Sequence, residues 1–244
     1  MKNLYLNADC MNPETGLPSY PDKYFDLAIV DPPYGIGEGA KKASTRGVST
    51  AKWKNAKPAT YRGGEWDKTP MKSDYFKEVR RVSRNQIIWG ANHFIDNIGK
   101  ANASCWIVWY KVGQNPAVDF ADCELAWTSF KKAVKFFRYD WTGFGAVNSG
   151  EKRLHPTQKP MALYRWLVKN YAKQGDRILD THVGSASSLV VYEEMGFEYV
   201  GFELDADYYR DSCKRLEAYR AQPKLFTGAE IFEASKQPIQ GSLF

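Results

Sequence analysis

The sequence predicts an α/β fold, a doubly wound and mostly parallel sheet flanked by helices. Three observations carry this. Short apolar runs of strand length alternate with segments of helical period from residue 4 to residue 219. No break in composition divides the series into separate units, and no internal repeat is present. Asp9, Asp31, Asp180 and Glu203 all fall at the ends of predicted strands, where sheets of this kind hold their ligands.

The elements follow in order. Leu4-Tyr5-Leu6 reads as a short strand that ends at Asn7-Ala8-Asp9. Residues 26–30 form the second strand. A helix is expected over 73–82, capped by Ser73, and a strand over 86–89, closed by Gly90. Strands are expected over 104–110 and 123–128. The 160–171 segment is a helix: Pro160 suits its first position, Leu163, Leu167 and Tyr171 share a face, and Gly175 lies just past its end. A strand over 177–179 leads to a helix over 185–195 with Gly196 as its C-cap. A strand over 199–202 and a helix over 206–219 complete the fold. Residues 1–222 are expected to make one domain, with 35–66 and 131–153 as insertions. The 223–244 tail has weak periodicity and is expected to be partly disordered.

With 244 residues the chain can build a sizeable core, and 43% hydrophobic against 25% charged residues is ordinary for a globular protein. It has no apolar run of membrane-spanning length, and Met1-Lys2-Asn3-Leu4 lacks the apolar core of a signal peptide. Cys10, Cys105, Cys123 and Cys213 are far apart, as are His93, His155 and His182. Neither a disulfide framework nor a metal site is expected, and a reducing cytoplasm is the expected location. The net charge is +6, a mild excess that points weakly to nucleic acid. Its distribution says more. Lys41, Lys42, Arg46, Lys52, Lys54, Lys57 and Arg62 crowd residues 35–66, with Trp53 and Tyr61 among them. In isolation this reads as a solvated basic loop; directly after residues 31–34 it reads as a loop that contacts phosphates.

Asp31-Pro32-Pro33-Tyr34 closes the second strand. The carboxylate accepts hydrogen bonds, and neither proline has a backbone N–H, so the stretch is rich in acceptors. Tyr34 can stack on a flat partner. An adenine or cytosine taken out of a nucleic-acid stack, with its exocyclic amino group, would meet all three. The plainer reading is a strand followed by a proline turn.

Residues 177–188 read as a strand, a small-residue turn and a helix start, in which Gly184 and Ser185 allow a ligand close to the backbone. Helix capping by Ser185 or Ser187 is the simpler account of the turn alone. Glu203 ends the next strand about 20 residues on, a position suited to ribose hydroxyls.

Four stretches in this order, Asp31 to Tyr34, His155-Pro156-Thr157-Gln158-Lys159-Pro160, Asp180 to Ser188 and Gly201-Phe202-Glu203-Leu204-Asp205, resemble the amino-group DNA methyltransferases that use S-adenosylmethionine. With the catalytic tetrapeptide ahead of the cofactor motifs, the order is similar to the circularly permuted beta group. The resemblance spans roughly residues 4–219 and implies a Rossmann-like methyltransferase sheet. It also implies that Asp31 and the Pro32 carbonyl accept the amino hydrogens of the target base, with Pro33 completing the tetrapeptide and Tyr34 stacking on the base. Glu203, with Asp205 beside it, would serve the ribose, and Asp9 would lie near the cofactor adenine. Asp180, Gly184, Ser185, Thr157, Gln158 and Lys159 would surround the methionine part, and Asp31 is expected to contact the cofactor as well as the base. The family turn usually reads Asp-Pro-Phe-x-Gly-Ser-Gly-Thr. Here Thr181 and His182 replace Pro-Phe, and Ala186 replaces the last Gly.

Asp at the first position of the tetrapeptide leans toward adenine N6 in this family, with cytosine N4 as the runner-up. DNA is the expected partner, read by the 35–66 loop and by 131–153, where Lys135 and Arg138 stand among aromatic residues. An RNA or protein amino methyltransferase is the competing enzyme reading. The glutamine methyltransferases of release factors put Asn first and the cofactor motif ahead of it, unlike this chain. A DNA-binding module without catalysis is the non-enzyme reading. Gln240-Gly241-Ser242-Leu243-Phe244 resembles the peptide that docks on the bacterial sliding clamp, so a clamp contact through Gln240, Leu243 and Phe244 is a further expectation. A homodimer is another.

Overall fold

The computed structural model describes residues 3–37, 67–99, 101–112, 121–141, 149–151 and 153–237. Its eight strands are β1 (Leu4–Asn7), β2 (Phe25–Val30), β3 (Ser83–Trp89), β4 (Trp106–Tyr110), β5 (Cys123–Thr128), β6 (Lys135–Arg138), β7 (Arg177–Asp180) and β8 (Glu198–Glu203). They form one sheet in the order β1-β8-β7-β2-β3-β5-β4-β6. Only β5 runs against its neighbours; the other described pairings are parallel. From β7 the chain winds outward through β8, and from β2 it winds the other way through β3. The winding therefore reverses between β7 and β2, and a crevice opens there beyond the strand ends.

The helices are α1 (Ser73–Val82), α2 (Ile95–Ile98), α3 (Met161–Tyr171), α4 (Ser187–Glu194), α5 (Ala206–Arg220) and α6 (Gly228–Lys236). Alternation along β2 shows why both faces need cover. Leu27 and Ile29 pack into one core with Leu163 and Leu167 of α3 and Leu189 of α4. Ala28 and Val30 enter the other, with Tyr75, Phe76 and Val79 of α1. Buried on both faces, β2 reads as a continuous apolar run. Among the described residues, no helix is long and apolar enough to cross a membrane, and the four cysteines are free.

Several expectations change. Ser73 is the first residue of α1, and Lys72 holds the N-cap position without a side-chain hydrogen bond. Helix α4 begins at Ser187, two residues later than expected, because Ala186 takes a left-handed conformation at its N-cap (φ 59°). The tail, expected to be partly disordered, contains α6. Thr227 and Glu230 form a reciprocal capping box there, and Phe232 is fully buried against Phe197. Close approach of two backbones seats this helix: a Cβ on Gly228 would lie 2.3 Å from the Gly196 nitrogen. Part of the 131–153 stretch is strand β6, paired with β4.

Candidate active site

Asp31 follows β2 at the crevice, and its carboxylate is held from two sides. Tyr34 donates its hydroxyl to Oδ1 at 2.8 Å, and the Lys159 ammonium lies 2.5 Å from Oδ2. The Tyr34 ring is fixed by what lies beneath it. Gly90 has φ 69°, and a Cβ there would sit 2.1 Å from the ring, so only glycine fits. His93 stacks on the same ring at 5.1 Å. Burial pushes the Asp31 carboxyl up from its usual range, the nearby Lys159 charge pulls it down, and the Glu124 charge adds to the rise.

Beyond β7, Asp180 is buried and accepts hydrogen bonds from the Ser188 hydroxyl at 2.5 Å and the His182 N–H at 3.0 Å. Burial outweighs both bonds and pushes its pKa up to about 7. Thr181 explains its departure from the family turn by sharing a hydrogen bond with the Tyr75 hydroxyl at 2.6 Å. His182 is half-buried, packs edge-on against Tyr75 and shares a hydrogen bond with Thr181. Burial lowers its pKa to about 4, so it is neutral at pH 7.

Glu203 closes β8 and faces the turn. It accepts from the Gly184 N–H at 2.7 Å and from the Asp205 N–H at 2.9 Å. With the Leu204 N–H as a further backbone donor, the two oxygens together still keep lone-pair capacity for a ligand. Asp205, expected beside it at the cofactor, caps α5 instead by accepting from the N–H groups of Asp207 and Tyr208. Ser185 shares a hydrogen bond with Ser187, and its carbonyl accepts from Arg215. Asp9 is exposed after β1 and accepts from the Met11 N–H.

The 155–159 segment closes the site from the opposite side. His155 packs against Tyr208 at 4.3 Å and borders Gly184. Thr157 is exposed and hydrogen bonds His155. Gln158 is a buried buttress: its carbonyl accepts from the Trp141 indole at 2.6 Å and its side-chain oxygen from the Leu154 N–H. Lys159 was expected at the methionine part of a cofactor, but its ammonium points at Asp31. It also reaches Glu124 Oε2 at 3.2 Å and the Tyr34 hydroxyl at 3.1 Å. Glu124 in turn pairs with Lys111 at 2.7 Å. Glu124 and Lys111 carry no sequence signal, because only the antiparallel placement of β5 beside β3 and β4 brings them here.

Lys41, Lys42, Arg46, Lys52, Lys54 and Arg62 lie outside the described residues. Arg138 ends β6 opposite Tyr110 and lies over its ring at 5.6 Å, on the edge of the sheet that carries the site. Lys135 starts the same strand, about 10 Å away at the other end.

These residues fit S-adenosylmethionine. Gly184 has φ 57°, and the nearest atoms a Cβ there would meet are those of the His155 ring, at 3.7 Å, so the turn leaves room beside the backbone. Asp180 and Glu203 are both raised, chiefly by burial, and donors from a ligand ammonium and ribose hydroxyls would relieve both. Among the described residues, no cluster suited to a metal ion is present.

A family profile described as DNA methylase matches residues 130–214. The type II methyltransferase M2.DpnII of Streptococcus pneumoniae is 28% identical over 79% of this chain and 82% of its own. M.HinfI of Haemophilus influenzae, also a type II methyltransferase, is 26% identical over 91% and 70%. Solved structures share the fold. M1.HpyAVI bound to S-adenosylmethionine superposes with a TM-score of 0.54 at 18% identity, covering 87% of this chain and 98% of that one. The cytosine-N4-specific PvuII DNA methyltransferase gives 0.52 at 12% identity, covering 96% and 94%. With its motifs in the expected order and the crevice between β7 and β2, the chain is similar to the amino-group DNA methyltransferases that use S-adenosylmethionine.

Proposed function

We propose that this enzyme methylates the N6 amino group of adenine, on a base turned out of the DNA duplex. The observation that carries the reading is the Asp31 carboxylate at the end of β2, beside the donor-free Pro32-Pro33 backbone. Among the described residues, its Oδ1 accepts only a neutral hydroxyl, from Tyr34.

The chemistry is a displacement at carbon. When bound, the cofactor supplies a methyl group on a sulfonium, whose departing bond leaves its electron pair on sulfur. The residues of the chain do the rest. A base amino group is a poor nucleophile because its lone pair is spread into the ring. Asp31 and the Pro32 carbonyl would accept its two hydrogens, which favours a more tetrahedral nitrogen and frees the lone pair for attack. The alkylated nitrogen then sheds one proton, and Asp31 stands within reach to take it. Turning out the base costs a few kcal/mol in unstacking, and stacking on Tyr34 offsets part of it. That His93 already lies on the ring supports the capacity of Tyr34 to hold a flat partner. Asp180 and Ser185 would orient the methionine part with Thr157 and Gln158 alongside, while Glu203 would bind the ribose and Asp9 would lie near the adenine.

Cytosine N4 is the second reading, favoured by the likeness to the cytosine-N4-specific PvuII enzyme. Nucleoside mass spectrometry of DNA treated with the enzyme and cofactor separates the two. N6-methyladenine is the expected product, and N4-methylcytosine alone would overturn the choice of base.

Arg138 and the basic residues between Lys41 and Arg62 are proposed to hold the DNA backbone. We place the reaction in the cytoplasm, where the four free cysteines would stay reduced. A sliding-clamp contact through Gln240, Leu243 and Phe244 is also proposed; these residues lie outside the described ones. The same Gln-x-x-Leu-Phe order occurs at residues 222–226, where Leu225 is 90% and Phe226 63% exposed. Clamp binding that survives both deletion of residues 240–244 and Leu225→Ala with Phe226→Ala would refute it. Among the described residues, no surface favours a homodimer.

A further inference from the structure

Four charges of alternating sign form a row that starts at the candidate acceptor: Asp31, Lys159, Glu124 and Lys111. The inference drawn from them rests on the amino-methylation reading above. Lys159 has three N–H donors, and the structure offers three acceptors: Asp31 Oδ2, Glu124 Oε2 and the Tyr34 hydroxyl. Its side chain is 2% exposed, so it is no surface lysine that happens to meet an acid. The Trp89 and Tyr34 rings lie 5.4 and 5.5 Å from the ammonium. Its backbone sits between the Trp141 bond to Gln158 and Pro160 at the start of α3, which leaves little freedom at the root of the side chain.

We propose that Lys159, anchored by Glu124, is a positioning residue that keeps Asp31 a carboxylate and directs Oδ1 toward the target amino group. The Tyr34 hydroxyl stands in for an amino hydrogen until the base arrives. Lys159 occupies Oδ2 and so leaves Oδ1 as the oxygen that can be exchanged. Exchange there costs little, because a neutral hydroxyl leaves and a neutral amino group takes its place. Glu124 supplies the negative charge that makes a buried ammonium tolerable, and Lys111 balances Glu124.

The groups that face Asp31 are Lys159, Glu124 on β5, Tyr34, Asp180 on β7, Tyr75 on α1 and Tyr164 on α3. Lys159 is the cation among them. Without it, Asp31 would sit buried beside Glu124 and Asp180, and both burial and like charge favour its protonated form. A protonated Asp31 donates where it must accept, so the variant should work only at higher pH.

The test is the pH dependence of single-turnover methyl transfer to duplex DNA by the full chain. It compares wild type with Lys159→Met, Lys159→Arg and the double variant Lys159→Met with Glu124→Gln. Cofactor affinity is followed in parallel by calorimetry. In Lys159→Met the acidic limb should move up by at least about one pH unit, a loss that reaches about tenfold on the acid side of the limb and shrinks as pH rises. Arginine should restore the limb. The double variant, which removes both buried charges together, should fold and bring the limb partway back, because the like charge beside Asp31 is gone. A double variant with its limb where wild type has it overturns the proposal even if Lys159→Met does not fold. A loss of cofactor affinity with the limb unmoved also overturns it, by assigning Lys159 to the cofactor. A wild type that methylates no DNA base overturns the underlying reading instead, and is recognised before any variant is compared.

Discussion

Tyr34 donates its hydroxyl to Oδ1 of Asp31 at 2.8 Å, across the two prolines that separate them. One residue thus supplies both a ring for stacking and a hydroxyl that fills the acceptor. The two parts can be separated by mutation. Tyr34→Phe keeps the ring and should retain activity within about threefold of wild type. Tyr34→Ala removes the stack, worth about 1–3 kcal/mol per base, and should lower kcat/KM by about 5- to 150-fold. Steady-state kinetics on one duplex checks both. Equal losses in the two variants would assign the function of Tyr34 to its hydroxyl.

Asp180 links the cofactor turn to stability. Its pKa in the fold, about 7, lies above the usual carboxylate value, chiefly through burial. The folded state therefore holds a proton that the unfolded state releases near pH 4. The contribution of this group to stability is complete below that pH and is lost as pH rises through 7, by up to about 4 kcal/mol. Asp180→Asn cannot ionise. Relative to wild type it should be more stable at pH 8 than at pH 5 in urea unfolding, and it should bind the cofactor more weakly. A stability difference that does not change with pH would refute the placement of this proton.

Ala186 tests the departure from the family turn. It is fully buried with φ 59°, a region that costs an L-residue about 1–2 kcal/mol. Glycine loses about 0.5–1 kcal/mol through its unfolded-state freedom. Ala186→Gly should therefore gain about 0.5–1 kcal/mol, seen as a Tm increase of a few degrees. A lower Tm would show that the alanine methyl contributes more by packing than its conformation costs.

The sequence disclosed most of the winding and both halves of the site. Asp31, Asp180 and Glu203 end strands as expected, because a parallel sheet buried on both faces leaves apolar runs that stop abruptly at polar residues. Helix α6 was missed for a local reason: its stripe is short, and its clearest mark is the capping pair Thr227 and Glu230 rather than an apolar period. Glu124 and Lys111 were missed for a non-local one. Their meeting with Lys159 depends on β5 running antiparallel between β3 and β4, and nothing in residues 111–124 encodes that placement. The motif at Lys159 was visible, but the direction of its ammonium is a property of the packed fold.

The most direct test of the account is single-turnover methyl transfer by Asp31→Ala, with cofactor binding measured on the same sample. In the proposed mechanism Asp31 accepts from the reacting amino group, whereas the ribose and methionine contacts are assigned to Glu203 and Asp180. The variant should bind S-adenosylmethionine within a few-fold of wild type and transfer the methyl group at least about 1,000-fold more slowly, a loss of about 4 kcal/mol in the transition state. A variant that binds cofactor and still methylates DNA within about tenfold of wild type would contradict the account and move the acceptor away from the end of β2.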